Sequence, residues 1–295
     1  MNGRASLRIG KAIILLGLVA VCAAAGGQER VHGMWVWKGL SVVDASGGAE
    51  RLRKFCQEQE INEIYLSAHT EGNAQEEDHV SHFIGLLHRS HVHVEALLSS
   101  QDADEPGKYR EKLLDHVREI VTFNQRHPGG RYDGIHLDIE PQQRPENKGA
   151  GNLRFLPGLS EAYRAVFALA EPAGLMVNAD IQNKLLKGDP AQRKMLLTSL
   201  PRLTLMLYEL NSPGDGQTVE QKTEKLSTSS RNYLAMAYEG LNDSKCARMA
   251  IALRTPDYEG LLPRMLQTVD EVNAANPHYL GWARHSYNDV LESPR

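Results

Sequence analysis

The chain has 295 residues, with 33 Lys and Arg against 37 Asp and Glu, which gives a formal net charge of −4. Binding of nucleic acid usually needs a basic surplus, so this balance predicts no nucleic-acid partner. Three cysteines are too few for a disulfide framework, and the length suffices for one large core or two small ones.

The first 25 residues have the pattern of an export signal. Basic residues precede an apolar run from Ala12 to Val21, and alanines at 23–25 are suited to cleavage. The run is too short to span a bilayer, so we expect no stable membrane insertion. Lipidation at Cys22 is the less favoured alternative, because the residue before it is bulky. We predict an exported protein, periplasmic or extracellular, with a mature chain of residues 26–295.

Strands and helices alternate along the mature chain. The predicted strands are Val31–Trp37, Ile61–Ala68, His91–Ser99, Tyr132–Pro141, Leu175–Ile181, Leu203–Leu210, Ala247–Leu253 and Tyr279–Arg284. The predicted helices are Gly48–Gln59, Asp78–Ser90, Lys108–Arg126, part of Asn152–Ala173, a segment opened by Asp189-Pro190, Thr218–Leu241 and Tyr258–Ala275. Strict alternation predicts one α/β domain, a (β/α)₈ TIM barrel. An open doubly wound sheet is the alternative, although no glycine-rich phosphate loop follows the first strand.

The fourth predicted strand carries an unusual set of polar residues. From Ile135 to Ile139 apolar residues alternate with His136 and Asp138, and Glu140 continues the polar series. Asp is depleted in strands and costly to bury without a partner, which favours a functional role. Because Pro141 ends the strand, the carboxylates lie at its C-terminal end, where TIM barrels place their chemistry.

This strand resembles the signature of the family-eighteen glycoside hydrolases, the chitinases and their relatives. That signature reads Asp-Gly-x-Asp-x-Asp-x-Glu on the fourth strand of a barrel. Asp133, Gly134, Asp138 and Glu140 match it, and His136 stands where the first inner Asp belongs.

Two further matches lie on later strands. The family carries Met-x-Tyr-Asp on its sixth strand, and this chain has Met206-Leu207-Tyr208-Glu209 there. The family also ends its eighth strand with a tryptophan that floors the sugar site, which suggests the same place for Trp282. We therefore expect Met206, Glu209 and Trp282 to contact substrate.

The resemblance implies a secreted glycoside hydrolase that cleaves β-linked N-acetylhexosamine glycans by substrate-assisted retaining catalysis, without a cofactor. Glu140 would be the general acid that protonates the glycosidic oxygen. Asp138 would hold the N-acetyl group of the sugar while its carbonyl oxygen attacks the anomeric carbon. Tyr208 would hydrogen-bond to the same acetamido group. The expected partner is a carbohydrate substrate, and the expected state is a monomer.

Other residues are candidates for sugar binding. Trp35 and Trp37 on the first strand neighbour the eighth strand in a closed barrel and could offer aromatic faces, although tryptophan also fills barrel cores. Asn178 and Asp180 share a parity on the fifth strand and could bind sugar hydroxyls from the inside of the barrel. Either could instead begin the turn that follows.

His136 is expected to tune the site. A neighbouring cation favours an ionised carboxylate, so we predict that His136 keeps Asp138 charged, with Glu95 on the third strand as the acceptor for the imidazole. Two other functions remain open. His136, Asp138 and Glu140 could hold a divalent metal with help from Asp180 and Glu209, as in metal-dependent barrel phosphodiesterases. A non-catalytic carbohydrate-binding barrel is the third possibility, although the presence of Glu140 favours an enzyme.

Overall fold

The eight predicted strands are present and close into a barrel. The computed structural model describes residues 30–68, 73–148, 153–208, 210, 216–241 and 245–292. The strands are β1 Val31–Val36, β2 Glu63–Leu66, β3 His93–Ser100, β4 Gly134–Ile139, β5 Met176–Gln182, β6 Arg202–Met206, β7 Arg248–Arg254 and β8 Tyr279–His285. Each pairs in parallel with the next, and β8 pairs with β1. The single-domain (β/α)₈ barrel is confirmed.

Helices surround the barrel. They are α1 Gly39–Asp44, α2 Gly48–Glu58, α3 Ala74–His88, α4 Lys108–Arg126, α5 Leu156–Ala170, α6 Pro190–Leu197, α7 Val219–Tyr238, α8 Thr255–Tyr258, α9 Leu262–Asn273 and α10 Tyr287–Glu292. The short helices α1, α8 and α10 were not predicted, because six residues or fewer are too short for a periodic apolar pattern. No helix in the described ranges is long and apolar enough to cross a membrane.

The helix boundaries follow from local sequence. Asp189 caps α6 by accepting from the backbone N–H of Gln192, whose side chain bonds back to the backbone of Asp189. Thr218 and Gln221 form the same capping box at the start of α7. Helix α4 buries the side chains that recur on one face of the helix, from Leu113 to Phe123.

Two cores result from the alternation of the strands. Outward-facing residues of the strands pack against the helices in the larger core. A small inner cluster contains Trp35, Tyr65, Leu97, Met206, Ala252 and Ala283. Polar and charged side chains share the inner space with it, among them Glu95, His136 and Asp180, each no more than 2% exposed. This barrel interior therefore carries buried charge in addition to apolar packing.

Three predictions on the N-terminal segment and one candidate residue cannot be placed. The signal segment 1–25, its cleavage site and Cys22 lie outside the described residues, as does Glu209. Strand β6 ends at Met206, earlier than predicted, because Tyr208 has already left the ladder.

Candidate active site

A cavity of about 440 Å³ opens where the strands reach their C-terminal ends. It lies over β1 and β4 to β8. Its walls are formed by Trp35, Trp37, Asp138, Glu140, Gln143, Asp180, Gln182, Asn183, Met206, Tyr208, Arg254 and His285. Parallel strands bring their last residues to one edge of the sheet, which explains why residues distant in sequence meet here.

Asp138 lies on the cavity-facing side of β4 and is not neutralised by a close partner. Its Oδ1 is buried and has no hydrogen-bond partner in the described part of the chain. Burial raises the pKa of Asp138 well above its ordinary value of 3.8, and the negative charges of Asp180 and Glu140 raise it further. The charge of His136 acts in the opposite direction but is outweighed.

His136 therefore acts on the pKa of Asp138 in the predicted direction, but the prediction that Asp138 stays ionised is wrong, because burial and the charges of Asp180 and Glu140 raise that pKa. The sequence placed the two side chains on one face but did not show what else His136 contacts. Its imidazole is engaged by two other carboxylates, and Asp138 is left in a buried position close to further negative charge. Asp138 is accordingly a protonated acid over a range in which an exposed Asp is ionised.

Glu140 occupies the end of β4, half-buried at the cavity wall, and three glutamine amides hold it. The side-chain nitrogens of Gln142 and Gln182 lie 3.1 and 2.7 Å from its Oε1. The Gln143 amide donates to its Oε2. Pro141 begins a short 3₁₀ helix, Pro141–Gln143, which turns the chain so that two of the three amides reach back to the carboxylate. The carboxylate is thereby fixed in orientation by neutral donors.

His136 is fully buried and lies between two carboxylates. Its Nδ1 is 3.2 Å from Oε2 of Glu95, the predicted acceptor, and its Nε2 is 2.9 Å from Oδ1 of Asp180. The imidazole stacks on the ring of Tyr65, with 3.6 Å between the ring centroids. Burial alone would lower the pKa of His136, but Asp180 and Glu95 raise it to about 9. The side chain is therefore an imidazolium at neutral pH.

The ionic contacts continue towards the opposite end of the barrel. Arg202 on β6 places one nitrogen 3.4 Å from Oε1 of Glu95 and binds Glu63 on β2 at 2.6 and 2.8 Å. Gly134 leaves the space that this arrangement needs, because a Cβ there would lie 3.2 Å from the Glu95 side chain and 2.8 Å from the Met176 carbonyl oxygen.

Aromatic side chains form one wall of the cavity. The indole nitrogen of Trp37 donates to Nε2 of His285 at 2.9 Å, and that of Trp35 donates to Oδ2 of Asp180 at 3.2 Å. The ring centroid of Tyr208 is 5.7 Å from that of His285. Its buried hydroxyl has no hydrogen-bond partner among the described side chains and backbone groups. A flat apolar surface beside unpaired polar atoms suits a sugar ring with polar substituents.

The structure corrects the expected placement of Trp282. Its neighbour Ala283 belongs to the inner cluster, so the alternation of β8 turns Trp282 outward. There its indole nitrogen donates to Asp270 at 3.1 Å and its ring stacks on His32 at 4.2 Å. Trp282 thus packs between the barrel and α9, outside the cavity, and His285 takes the cavity position on β8.

Asn178 also lies outside the cavity, although its predicted inward direction is correct. It pairs in register with His136, one layer below Asp180. Its side-chain nitrogen is 3.1 Å from the Thr204 hydroxyl and 3.2 Å from Nδ1 of His136. Asn178 is therefore a buried neighbour of the imidazole and does not reach a ligand in the cavity.

Several lining residues were not singled out from the sequence. Gln182, Arg254 and His285 are the last residues of β5, β7 and β8, and Gln143 follows β4 by a short turn. Arg254 is held by Asp257, with nitrogen-to-oxygen distances of 3.0 and 2.6 Å. The rule that barrel chemistry lies at strand ends would have found the first three, had it been applied to every strand and not only to those with a motif.

We expect substitutions of Trp37 and Trp282 to have different effects. Trp37→Ala is expected to raise KM for oligosaccharides by about tenfold, since stacking and apolar contact with a sugar ring amount to roughly 1–2 kcal/mol. Trp282→Phe should lower the melting temperature but leave KM unchanged, because its indole donates to Asp270 and stacks on His32 outside the cavity. Steady-state kinetics and thermal unfolding of both variants check this. A KM effect at Trp282 and none at Trp37 would reverse the assignment.

The proposed metal ligands within the described ranges, which leave out Glu209, are not arranged as one cluster. No group of three or more His, Cys, Asp or Glu side chains within the described ranges is placed to hold a metal ion. His136 has both ring nitrogens engaged by carboxylates, and both oxygens of Asp180 are engaged by Trp35 and His136.

Known proteins resemble this chain in fold. No protein-family model matches the sequence, and no curated protein matches it closely. The β-mannanase of the blue mussel Mytilus edulis is similar in structure, with a TM-score of 0.56 at 13% identity, covering 90% of this chain and 89% of the mannanase. A GH18 chitinase from Pseudoalteromonas aurantia gives 0.51 at 12% identity, covering 88% and 93%. The PgaB (BpsB) glycoside hydrolase domain from Bordetella bronchiseptica gives 0.50 at 12%, covering 90% and 96%. These three solved structures are glycoside hydrolases, and at such identities the likeness shows the barrel fold alone.

Proposed function

We propose that this protein is an exported glycoside hydrolase that cleaves β-linked N-acetylhexosamine glycans by substrate-assisted catalysis. The observation that supports it is the grouping of Asp138, Glu140 and Tyr208 in one aromatic-walled cavity, with Oδ1 of Asp138 and the Tyr208 hydroxyl buried and unpaired among the described residues. Buried polar atoms without partners are costly, so their presence at a cavity suggests that a ligand supplies the missing hydrogen bonds.

The reaction needs one proton shared between the two carboxyl groups of β4. In the proposed resting state Asp138 holds it, which its raised pKa favours. Passing this proton to Glu140 produces an acid that can protonate the glycosidic oxygen, and it leaves Asp138 ionised. The ionised Asp138 accepts the N–H of the acetamido group, whose carbonyl oxygen attacks the anomeric carbon as the glycosidic bond breaks. Water then opens the cyclic intermediate and returns the proton.

The cavity offers the contacts that this sugar would need. The unpaired hydroxyl of Tyr208 would bond the acetamido oxygen, and Trp37 would offer an aromatic face for the ring. Met206 contributes apolar surface at the base, and Gln182 and Asn183 add amide groups for sugar hydroxyls.

One experiment separates this proposal from the two alternatives. The mature protein is incubated with labelled N-acetylhexosamine oligomers and with a phosphodiester substrate, each with and without a chelator. Cleavage of the oligomers that survives the chelator supports the proposal. Phosphodiester turnover that the chelator abolishes would establish the metal-dependent alternative, and saturable sugar binding without turnover would establish a carbohydrate-binding barrel.

Tyr208→Phe is expected to lower kcat by about ten- to a hundredfold with a smaller change in KM. The lost hydroxyl would bond the acetamido oxygen as it becomes the nucleophile, so the loss falls mainly on the transition state. Steady-state kinetics on a chromogenic N-acetylhexosaminide measure the split. Tyr233→Phe, on α7 away from the cavity, is the matched control. An effect confined to KM would make Tyr208 a binding residue only.

A further inference from the structure

A continuous line of ionic contacts runs through the inside of the barrel, and the proposed reaction does not use most of it. Five side chains take part, each from a different strand. In order of contact they are Glu63 on β2, Arg202 on β6, Glu95 on β3, His136 on β4 and Asp180 on β5. Their charges alternate in sign, and none is more than 9% exposed. We name these five residues the ionic chain.

The ionic chain ends at the floor of the cavity. Asp180 lines the cavity; its Oδ1 makes an ionic contact with Nε2 of His136 at 2.9 Å, outside hydrogen-bond geometry, and its Oδ2 accepts from the Trp35 indole at 3.2 Å. Asp138 lines the same cavity, but its Oδ1 has no partner among the described residues. The two aspartates thus line the same cavity, but Asp180 has contacts with the protein that Oδ1 of Asp138 lacks.

A buried pair of like-charged acids tends to hold one proton in common. The member that keeps its charge is the one with the better donors. Asp180 has an ionic contact with the imidazolium and a hydrogen bond from an indole N–H, whereas the Oδ1 of Asp138 has no hydrogen-bond partner among the described residues. Other charged or titratable groups around the two acids include Tyr65, Glu140, Tyr163, Tyr208, Arg254 and His285. Among the cations, His136 is in direct contact with Asp180, its Nε2 lying 2.9 Å from Oδ1.

We propose that the ionic chain is a positioning device that decides which of the two acids carries the resting proton: His136 holds Asp180 as a carboxylate, so the proton stays on Asp138. Glu95, Arg202 and Glu63 act one step further back by keeping His136 oriented and charged. This rests on the proposed function for its use, since Asp138 is the residue that hands the proton to Glu140. The placement of the proton itself does not depend on any substrate.

The state of each acid can be measured directly in the intact protein. Protein labelled with ¹³C at the aspartate side-chain carboxyl is titrated by NMR, and the resonances of Asp138 and Asp180 are assigned from Asp138→Asn and Asp180→Asn. We expect Asp138 to stay protonated at pH values at which an exposed aspartate is ionised, and to take up its proton before Asp180 does. Uptake of the first proton by Asp180 would overturn the proposal.

The role of the chain is tested by removing its central charge. His136→Gln keeps a side chain that can donate to one acid but cannot be a cation. In this variant the proton should move to Asp180, which then no longer raises the pKa of Asp138. This effect should outweigh the lost charge of His136, so that the titration midpoint of Asp138 falls by at least one pH unit. Glu95 lies outside the cavity, and Glu95→Gln should lower the titration midpoint of Asp138 by a smaller amount. Glu77→Gln removes another buried carboxylate, on α3 and outside the chain, and is the matched control.

The results separate this proposal from the proposed function. If His136→Gln and Glu95→Gln leave both resonances where they are in the wild type, the chain is only structural and the inference is wrong. If His136→Gln does not fold, Glu95→Gln decides alone. A lower titration midpoint of Asp138 supports the proposal, and an unchanged midpoint contradicts it. If the protein cleaves a glycan, His136→Gln should lower kcat at least tenfold with little change in KM. A fall of one unit in the pKa of Asp138 lowers the protonated fraction of this residue by up to tenfold. The NMR result stands even if no glycan is cleaved.

Discussion

Glu140→Gln is expected to lower kcat on N-acetylhexosamine glycans by about 10²- to 10⁴-fold, the usual contribution of a general acid. The amide cannot release a proton to the glycosidic oxygen. The fold should be retained, because the side chain can still accept from Gln142 and Gln182 through one oxygen and loses only the bond from Gln143, roughly 1 kcal/mol. Turnover of an unactivated oligosaccharide and thermal unfolding measure both effects.

A matched control lies a few residues away. Glu146 is exposed, pairs with Arg144 and does not line the cavity, so Glu146→Gln should leave kcat and KM unchanged. A substrate with a good leaving group needs less protonation, and the Glu140→Gln variant should recover part of its activity on it. Near-normal activity of Glu140→Gln on the unactivated oligosaccharide would remove Glu140 from the acid role.

His136→Asp is expected to have the largest effect on stability, destabilising the protein by about 3–5 kcal/mol at pH 7. It replaces the cation between Glu95 and Asp180 with a third acid, in a position with 0% exposure. Chemical denaturation at several pH values measures this. Because protonation relieves the repulsion, the variant should become more stable, relative to the wild type, as the pH falls. His136→Asn removes the cation without adding a charge, and its smaller loss is the control.

The wild-type protein should show the matching pH dependence. The pKa of His136 is raised from 6.5 to about 9 in the folded state. The stability that it contributes is therefore complete below pH 6.5 and is lost as the pH rises through about 9. At 1.36 kcal/mol for each pKa unit, the loss is on the order of 3 kcal/mol. An unfolding free energy with the same slope in wild type and His136→Asn between pH 6.5 and 9 would contradict this.

Strand parity was enough to predict much of the site. The alternation around Asp138 predicted that His136 and Glu140 lie on the same side of β4. Parity on β3 and β5 predicted that Glu95 and Asp180 face the inside of the barrel, where both contact His136. The C-terminal ends of the strands then predicted on which end of the barrel the cavity lies. These inferences held because each depends on a period of two residues and not on the exact pairing of strands.

Depth in the barrel and ionisation could not be predicted in the same way. Asn178 and Asp180 have the same parity on β5. Only the stagger between strands decides that Asn178 pairs with His136 while Asp180 lines the cavity. The prediction for Trp282 was wrong because it rested on the family motif. The inward direction of its neighbour Ala283 turns Trp282 outward. The raised pKa of Asp138 depends on burial and on three neighbours from two strands, which no local pattern contains.

The alternating charges of the ionic chain also limit how this barrel can change over evolutionary time. Each of its five members comes from a different strand and balances its neighbours, so losing one alone leaves a buried charge uncompensated. Positions 63, 95, 136, 180 and 202 should therefore vary together: a homologue with a neutral residue at 136 should also have lost the charge at 95 or 180. Paired replacement across strands, rather than stepwise drift, is the accessible route from this interior to an apolar one.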